Sequence, residues 1–174
     1  AAAACTVCPA GKHGAHPGRL YCPDCLSGYV CLGGTTSATP TSALTEFGYA
    51  CPVGSYCPAG SLTSYDCPAG TYQPLTRATN ISSCRACPAG SYAAALRQDS
   101  CRPCGASAYS QPQSATCTCK GSNRAYQQAD GSCLCRPGYE YKDAVTGQAY
   151  TGDSAADCFP VQLPNCVDGA VRNA

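Results

Sequence analysis

Cys87-Pro88-Ala89-Gly90-Ser91-Tyr92 decides how this chain is read, because the stretch recurs. It returns as Cys67-Pro68-Ala69-Gly70-Thr71-Tyr72 and as Cys51-Pro52-Val53-Gly54-Ser55-Tyr56. Looser copies begin at Cys8-Pro9-Ala10-Gly11, Cys57-Pro58-Ala59-Gly60 and Cys104-Gly105-Ala106-Ser107. The Cys anchors the chain, the Pro holds φ, and the Gly supplies a backbone angle that other residues avoid. Pro and then Gly inside a Cys frame predict a tight turn followed by a short strand. The Tyr, five residues past the Cys, offers a flat apolar body with a polar tip. Such a unit buries no core alone, and repetition is the natural solution.

Composition points the same way. Leu, Ile, Val and Phe number 19 of 174 residues, and Trp and Met are absent. That is too little apolar side chain for an ordinary packed core. A net charge of +1 argues against charge-driven disorder. Eighteen Cys supply the missing restraint and read as a disulfide scaffold made in an oxidising compartment. The expected fold is small and disulfide-rich, mostly irregular with short β-strands. It is expected to form an elongated tandem-repeat rod with little or no helix, contacts running only between neighbouring repeats. Cys-x-x-Cys at Cys5/Cys8, Cys22/Cys25, Cys84/Cys87 and Cys101/Cys104 also suits zinc. Two His residues and no four-ligand grouping argue against it, so no metal or other cofactor is expected. His13 and His16 read as residues of a Gly-rich loop. There is no run of 18 apolar residues to span a membrane. The near-zero charge makes no case for nucleic acid or anionic membrane. Lacking Met, the chain reads as a window from a longer extracellular protein.

In chain order the reading gives a partial repeat over 1–24 and a variant repeat with extra Cys over 25–66. Regular repeats follow over 67–118, then a Cys-x-Cys unit over 119–158 and an end segment over 159–174. The Ser/Thr-rich stretch 35–42 suits O-linked sugar, with Thr35, Thr36, Thr39 and Thr41 as candidates. Asn80-Ile81-Ser82 is an N-glycosylation sequon in a loop before the next Cys pair.

Cys84-Arg85-Ala86-Cys87-Pro88-Ala89-Gly90-Ser91-Tyr92, through Cys101-Arg102-Pro103-Cys104 to Cys117-Thr118-Cys119, resembles the cysteine-rich repeat of ephrin-receptor ectodomains. Residues 51–72 resemble a Tyr-Cys-Pro-Ala-Gly-Ser variant common in surface proteins of algae and ciliates. The tumour necrosis factor receptor module is a more distant relative. Cys133-Leu134-Cys135-Arg136-Pro137-Gly138-Tyr139 resembles the second half of an epidermal-growth-factor-like module, without the acidic residues of calcium-binding versions. The ephrin-receptor resemblance and the spacing imply a ladder: Cys8–Cys22, Cys67–Cys84, Cys87–Cys101, Cys104–Cys117, Cys119–Cys133 and Cys135–Cys158. Cys25, Cys31, Cys51 and Cys57 then pair among themselves in one of three ways, and Cys5 and Cys166 are left over. An interleaved pairing, Cys84–Cys101 with Cys87–Cys104, resembles the necrosis-factor-receptor style and stays open.

For function, no catalytic constellation emerges. The acids are scattered, His is confined to one loop, and no phosphate-cradling Gly loop is present. No enzymatic role is expected. Tyr56, Tyr72, Tyr92 and Tyr109 are expected to stack over the disulfides, with an exposed contact stripe as the rival. The favoured reading is a structural or assembly module of an extracellular filament or surface glycoprotein. Its expected partners are other chains or copies of itself, and glycans. The chain's Ala-rich, low-charge surface is similar to that of extracellular proteins of green algae, among them the ciliary hair filaments called mastigonemes. The alternative is a ligand-binding ectodomain of a receptor.

Overall fold

The computed structural model describes residues 7–14, 21–143 and 145–162. The chain is a disulfide-rich fold of short strands in small sheets. One 3-10 turn, Ile81–Ser83, is the only helical element among the described residues. The chain divides into two units, the first running to Cys104 with Ser110–Cys117, the second comprising Gly105–Tyr109 and the described residues from Thr118.

In the first unit each repeat is one hairpin. A strand leaves the Gly turn and returns just before the next anchoring Cys. The strands are β1 (Tyr29–Cys31), β2 (Gly48–Ala50), β3 (Ser55–Tyr56), β4 (Tyr65–Asp66), β5 (Thr71–Tyr72), β6 (Arg85–Ala86), β7 (Ser91–Tyr92) and β8 (Arg102–Pro103). They pair antiparallel as β1–β2, β3–β4, β5–β6 and β7–β8. The register repeats: Tyr56 faces Tyr65, Tyr72 faces Arg85 and Tyr92 faces Arg102. Lys12 bridges to Asp24 in the equivalent place. The turn closes as expected of a type II turn, with Thr71 N–H on the Pro68 carbonyl at 3.1 Å and Gly70 at φ 81°.

Neighbouring repeats are zipped by main-chain hydrogen bonds. The Cys67/Cys87 junction shows the pattern. Cys87 N–H donates to the Gly70 carbonyl and Gly70 N–H to the Ala93 carbonyl. Arg97 N–H donates to the Cys67 carbonyl and Gln73 N–H to the Gln98 carbonyl, all at 2.8–3.0 Å. The same four bonds recur at each of the five junctions between anchors Cys8, Cys25, Cys51, Cys67, Cys87 and Cys104. By this frame residues 25–66 hold two full repeats, anchored at Cys25 and Cys51.

Contacts also reach past the neighbour, which corrects the expectation of neighbour-only contacts. A Cβ on Gly28 would lie 2.7 Å from the Arg77 carbonyl oxygen, two repeats on. Gly54 meets the Arg97 carbonyl in the same way, and Gly70 that of Gln113. The receiving residues, Gly60, Arg77, Arg97 and Gln113, sit nine or ten positions past their own anchor and take left-handed backbone, as Gly34 does in the corresponding place. That conformation turns the amide toward the preceding repeat's anchor carbonyl. Gly90 is the last turn glycine of this unit, and nothing lies within 4 Å of its Cβ position.

The disulfides supply the interior. Cys8–Cys22, Cys67–Cys84, Cys87–Cys101 and Cys104–Cys117 each close one repeat on itself, with Cα atoms 5.6–5.8 Å apart. Cys25–Cys31 and Cys51–Cys57 close six-residue loops around their own turns. The interleaved pairing does not form. Cys5 and Cys166 lie outside the described residues. Anchors Cys25, Cys51, Cys67 and Cys87 are fully buried, and the small apolar cluster of this unit is Val30 with Cys51 and Cys57, flanked by Leu32 and Tyr49.

The second unit holds β9 (Ala108–Tyr109), β10 (Thr118–Cys119), β11 (Arg124–Tyr126), β12 (Cys133–Cys135), β13 (Tyr139–Lys142), β14 (Ala149–Tyr150) and β15 (Phe159–Pro160). They form the hairpins β9–β10 and β11–β12 and a three-stranded sheet with β13 in the middle. Cys119–Cys133 and Cys135–Cys158 cross-link it. Arg124 is 4% exposed; its guanidinium donates to the carbonyls of Ala156 and Cys133. Asp157 accepts from Ser122 N–H at 2.7 Å, and Asp153 from Cys133 N–H at 2.8 Å.

Candidate functional site

The loop from β5 to β6 is the longest of the Pro-Ala-Gly repeats, its bonded cysteines 17 positions apart. Its extra length is folded into the turn Ile81–Ser83, with Ser83 N–H on the Asn80 carbonyl and Cys84 N–H on that of Ile81. Gln73, buried at the start of the loop, holds it from inside. Its amide donates to the Ser83 carbonyl at 2.7 Å and accepts from Leu75 N–H at 3.1 Å. The loop thereby encloses an open depression of about 390 Å³. Gln73, Arg77, Thr79, Ser82, Ser83 and Arg85 line it, and no carboxylate does. Arg77 rises from its left-handed position with its guanidinium carbon 5.5 Å from the centre of the Tyr29 ring. Arg85 projects from β6 opposite Tyr72. Both arginines are exposed. Neither was singled out from sequence; the available signal was four Arg against one Asp between Cys67 and Cys104, in a chain otherwise close to neutral.

The sequon stands on the rim of this loop. Asn80 is exposed, extended in backbone, and makes no side-chain capping bond. Ser82 is exposed as well. The Thr-rich stretch is more ordered than its composition suggested. Thr35 is 1% exposed and its hydroxyl donates to the Glu46 carbonyl, so it is corrected from sugar acceptor to buried pin. The Glu46 carboxylate accepts from both the N–H and the hydroxyl of Thr41, bonds that hold its carboxyl below the usual glutamate range. Pro40 is fully buried, against Gly48. Thr36 is exposed and Thr39 half-buried.

The four tyrosines do not share one environment. Tyr92 is 2% exposed, Tyr56 and Tyr72 are half-buried, and Tyr109 is 46% exposed. Tyr56 stacks on Tyr65, centroids 5.6 Å apart. His13 is half-buried with its N–H on the Pro23 carbonyl, and His16 lies outside the described residues. Among the described residues no three His, Cys, Asp or Glu gather to hold a metal ion, and no helix is long and apolar enough to cross a membrane. The many disulfides fit an extracellular or secreted protein. No family model matches the chain, and no curated protein matches it.

Proposed function

We propose that this chain is a structural and assembly module of an extracellular filament or surface glycoprotein: a stiff, disulfide-stapled spacer that packs against partner chains or copies of itself. The observation that carries the reading is the four-bond main-chain zipper, repeated at every junction of the first unit. Flexing any junction would break several backbone hydrogen bonds together, and at Gly11, Gly28, Gly54 and Gly70 it would also disturb the close approach of the turn glycine to the carbonyl two repeats away. Isolated exposed leucines, Leu44, Leu62, Leu75 and Leu96, offer contact points along that unit. The resemblance to ephrin-receptor repeats and to green-algal surface and ciliary proteins supports the setting. The reading gives the chain no catalytic step.

Cross-linking mass spectrometry on the native cell surface, paired with sedimentation of the purified chain, tests it. A spacer should cross-link along its length to copies or partner chains and bury over about 1,000 Å² against them. A chain that stays monomeric, makes no such cross-links and instead saturates with a soluble ligand would favour the receptor reading and remove this one.

A further inference from the structure

We infer that the depression between Arg77 and Arg85 is a binding site for an anionic saccharide, a sugar carrying sulfate or carboxylate groups. Three independent observations meet there. First, Arg77 and Arg85 line one concavity with no acid beside them, the Arg77 guanidinium resting over the Tyr29 ring. Guanidinium is the cation best shaped for a planar carboxylate or a sulfate oxygen pair. Second, the rest of the lining suits sugar hydroxyls: Thr79, Ser82 and Ser83 carry hydroxyls. The depression, about 390 Å³, is open to solvent. Third, Arg77 occupies a left-handed position, φ 63°, which earlier repeats fill with Gly34 and Gly60. A residue with a Cβ is strained there. Arg97 and Gln113 take the same left-handed backbone in later repeats, and at Arg77 that corner falls within the lining of the depression.

The neighbouring repeat supplies the contrast. Arg97 takes the same left-handed position but lies 3.9 Å from the Asp66 carboxylate, so its charge is partly answered. Arg102 repeats the register of Arg85 on β8 yet does not line the depression. The site thus belongs to one loop and not to the general basicity of the region. It shares with the spacer reading only the extracellular setting, and the two stand or fall separately.

Titration calorimetry on the secreted chain tests the inference, with a sulfated dextran oligosaccharide, an oligogalacturonate and neutral dextran as probes. Saturable binding of a sulfated or carboxylated probe is expected, weakening as salt rises, with neutral dextran silent. Which anionic probe binds more tightly identifies the anion. Arg77→Gly, which the backbone accepts as it does Gly60, and Arg85→Gln on an exposed strand should each weaken binding roughly tenfold. Arg102→Gln should leave it unchanged. Absence of saturable binding by both anionic probes would overturn the site. So would equal binding of neutral dextran, or a loss in Arg102→Gln matching that in Arg85→Gln.

Discussion

In the first unit, successive repeats are joined main chain to main chain; in the second, side chains carry much of the joining. Gly54, Gly70 and Gly90 engage the next repeat through amide and carbonyl alone. Beyond Cys119 the corresponding work falls to Asp153 and Asp157, which hold backbone N–H groups, and to Arg124 and the Asn123 amide, which hold carbonyls. Spacing explains the change. Cys-x-x-Cys leaves two residues to pair as the returning strand before the anchor, whereas Cys-x-Cys leaves one fewer and moves the junction to Lys120, whose N–H reaches the Ser107 carbonyl at 3.0 Å. A main-chain joint tolerates almost any side chain but demands its glycine. A side-chain joint tolerates irregular backbone but depends on charge.

The largest expected effect sharpens the first half of that contrast. Gly70→Ala drives a methyl to 2.2 Å from the Gln113 carbonyl oxygen and adds left-handed strain, whereas Gly90→Ala adds the strain alone. Strain of about 1–2 kcal/mol applies to both, and overpacking of about 1–3 kcal/mol only to Gly70. Denaturant unfolding should rank Gly70→Ala well below Gly90→Ala; equal losses would mean the contact two repeats away is idle. Next comes Arg124→Met, which leaves the Ala156 and Cys133 carbonyls without their donor and should cost about 2 kcal/mol. Hydrogen exchange should quicken around β11 and β12 and stay unchanged at Gly54 and Gly70. If the whole chain loosens equally, the two units are not independently held.

The smallest effect is acid sensitivity. Asp143 is held below the ordinary aspartate value by the N–H groups of Thr146 and Val145 and the Thr146 hydroxyl. The Ser132 hydroxyl and N–H lower Asp130, and the Ser122 N–H lowers Asp157. A lowered folded-state value contributes stability that is complete above the unfolded value, about pH 4, and is lost as pH falls through the folded value. Amide protection at Ser122, Ser132, Val145 and Thr146 should therefore fade below about pH 4, while the junction amides of the first unit keep theirs. Matching losses in both units would erase the distinction.

Much of this frame was legible in residues whose chemistry is local. Cys, Pro and Gly report turn and anchor directly, because few other residues meet those backbone demands. Six disulfides match the ladder that the ephrin-receptor resemblance and the spacing implied, while the pairing of Cys25, Cys31, Cys51 and Cys57 was open in the sequence. What escaped reading depends on contacts between residues distant in sequence, within a repeat or between repeats. Arg77, Arg97 and Gln113 take left-handed backbone, yet none is a residue that advertises it. Thr35 looked like a solvated hydroxyl and is buried because Glu46 folds back over it. The burial of the tyrosines likewise depends on what stands opposite them, as Tyr65 does to Tyr56 across its own hairpin. The depression was missed because net charge was counted over the whole chain, and four arginines crowd into two repeats.

The zipper also bears on how such chains lengthen. Its joining atoms belong to the anchor Cys, the turn glycine, the sixth residue after the anchor, and the left-handed corner with the residue after it; none belongs to the hairpin tips. Intervening tips can therefore swell, as the 25–51 segment has, without shifting phase. A duplicated copy would slot in anywhere along the stack, provided that it brings one glycine and one corner able to turn the wrong way.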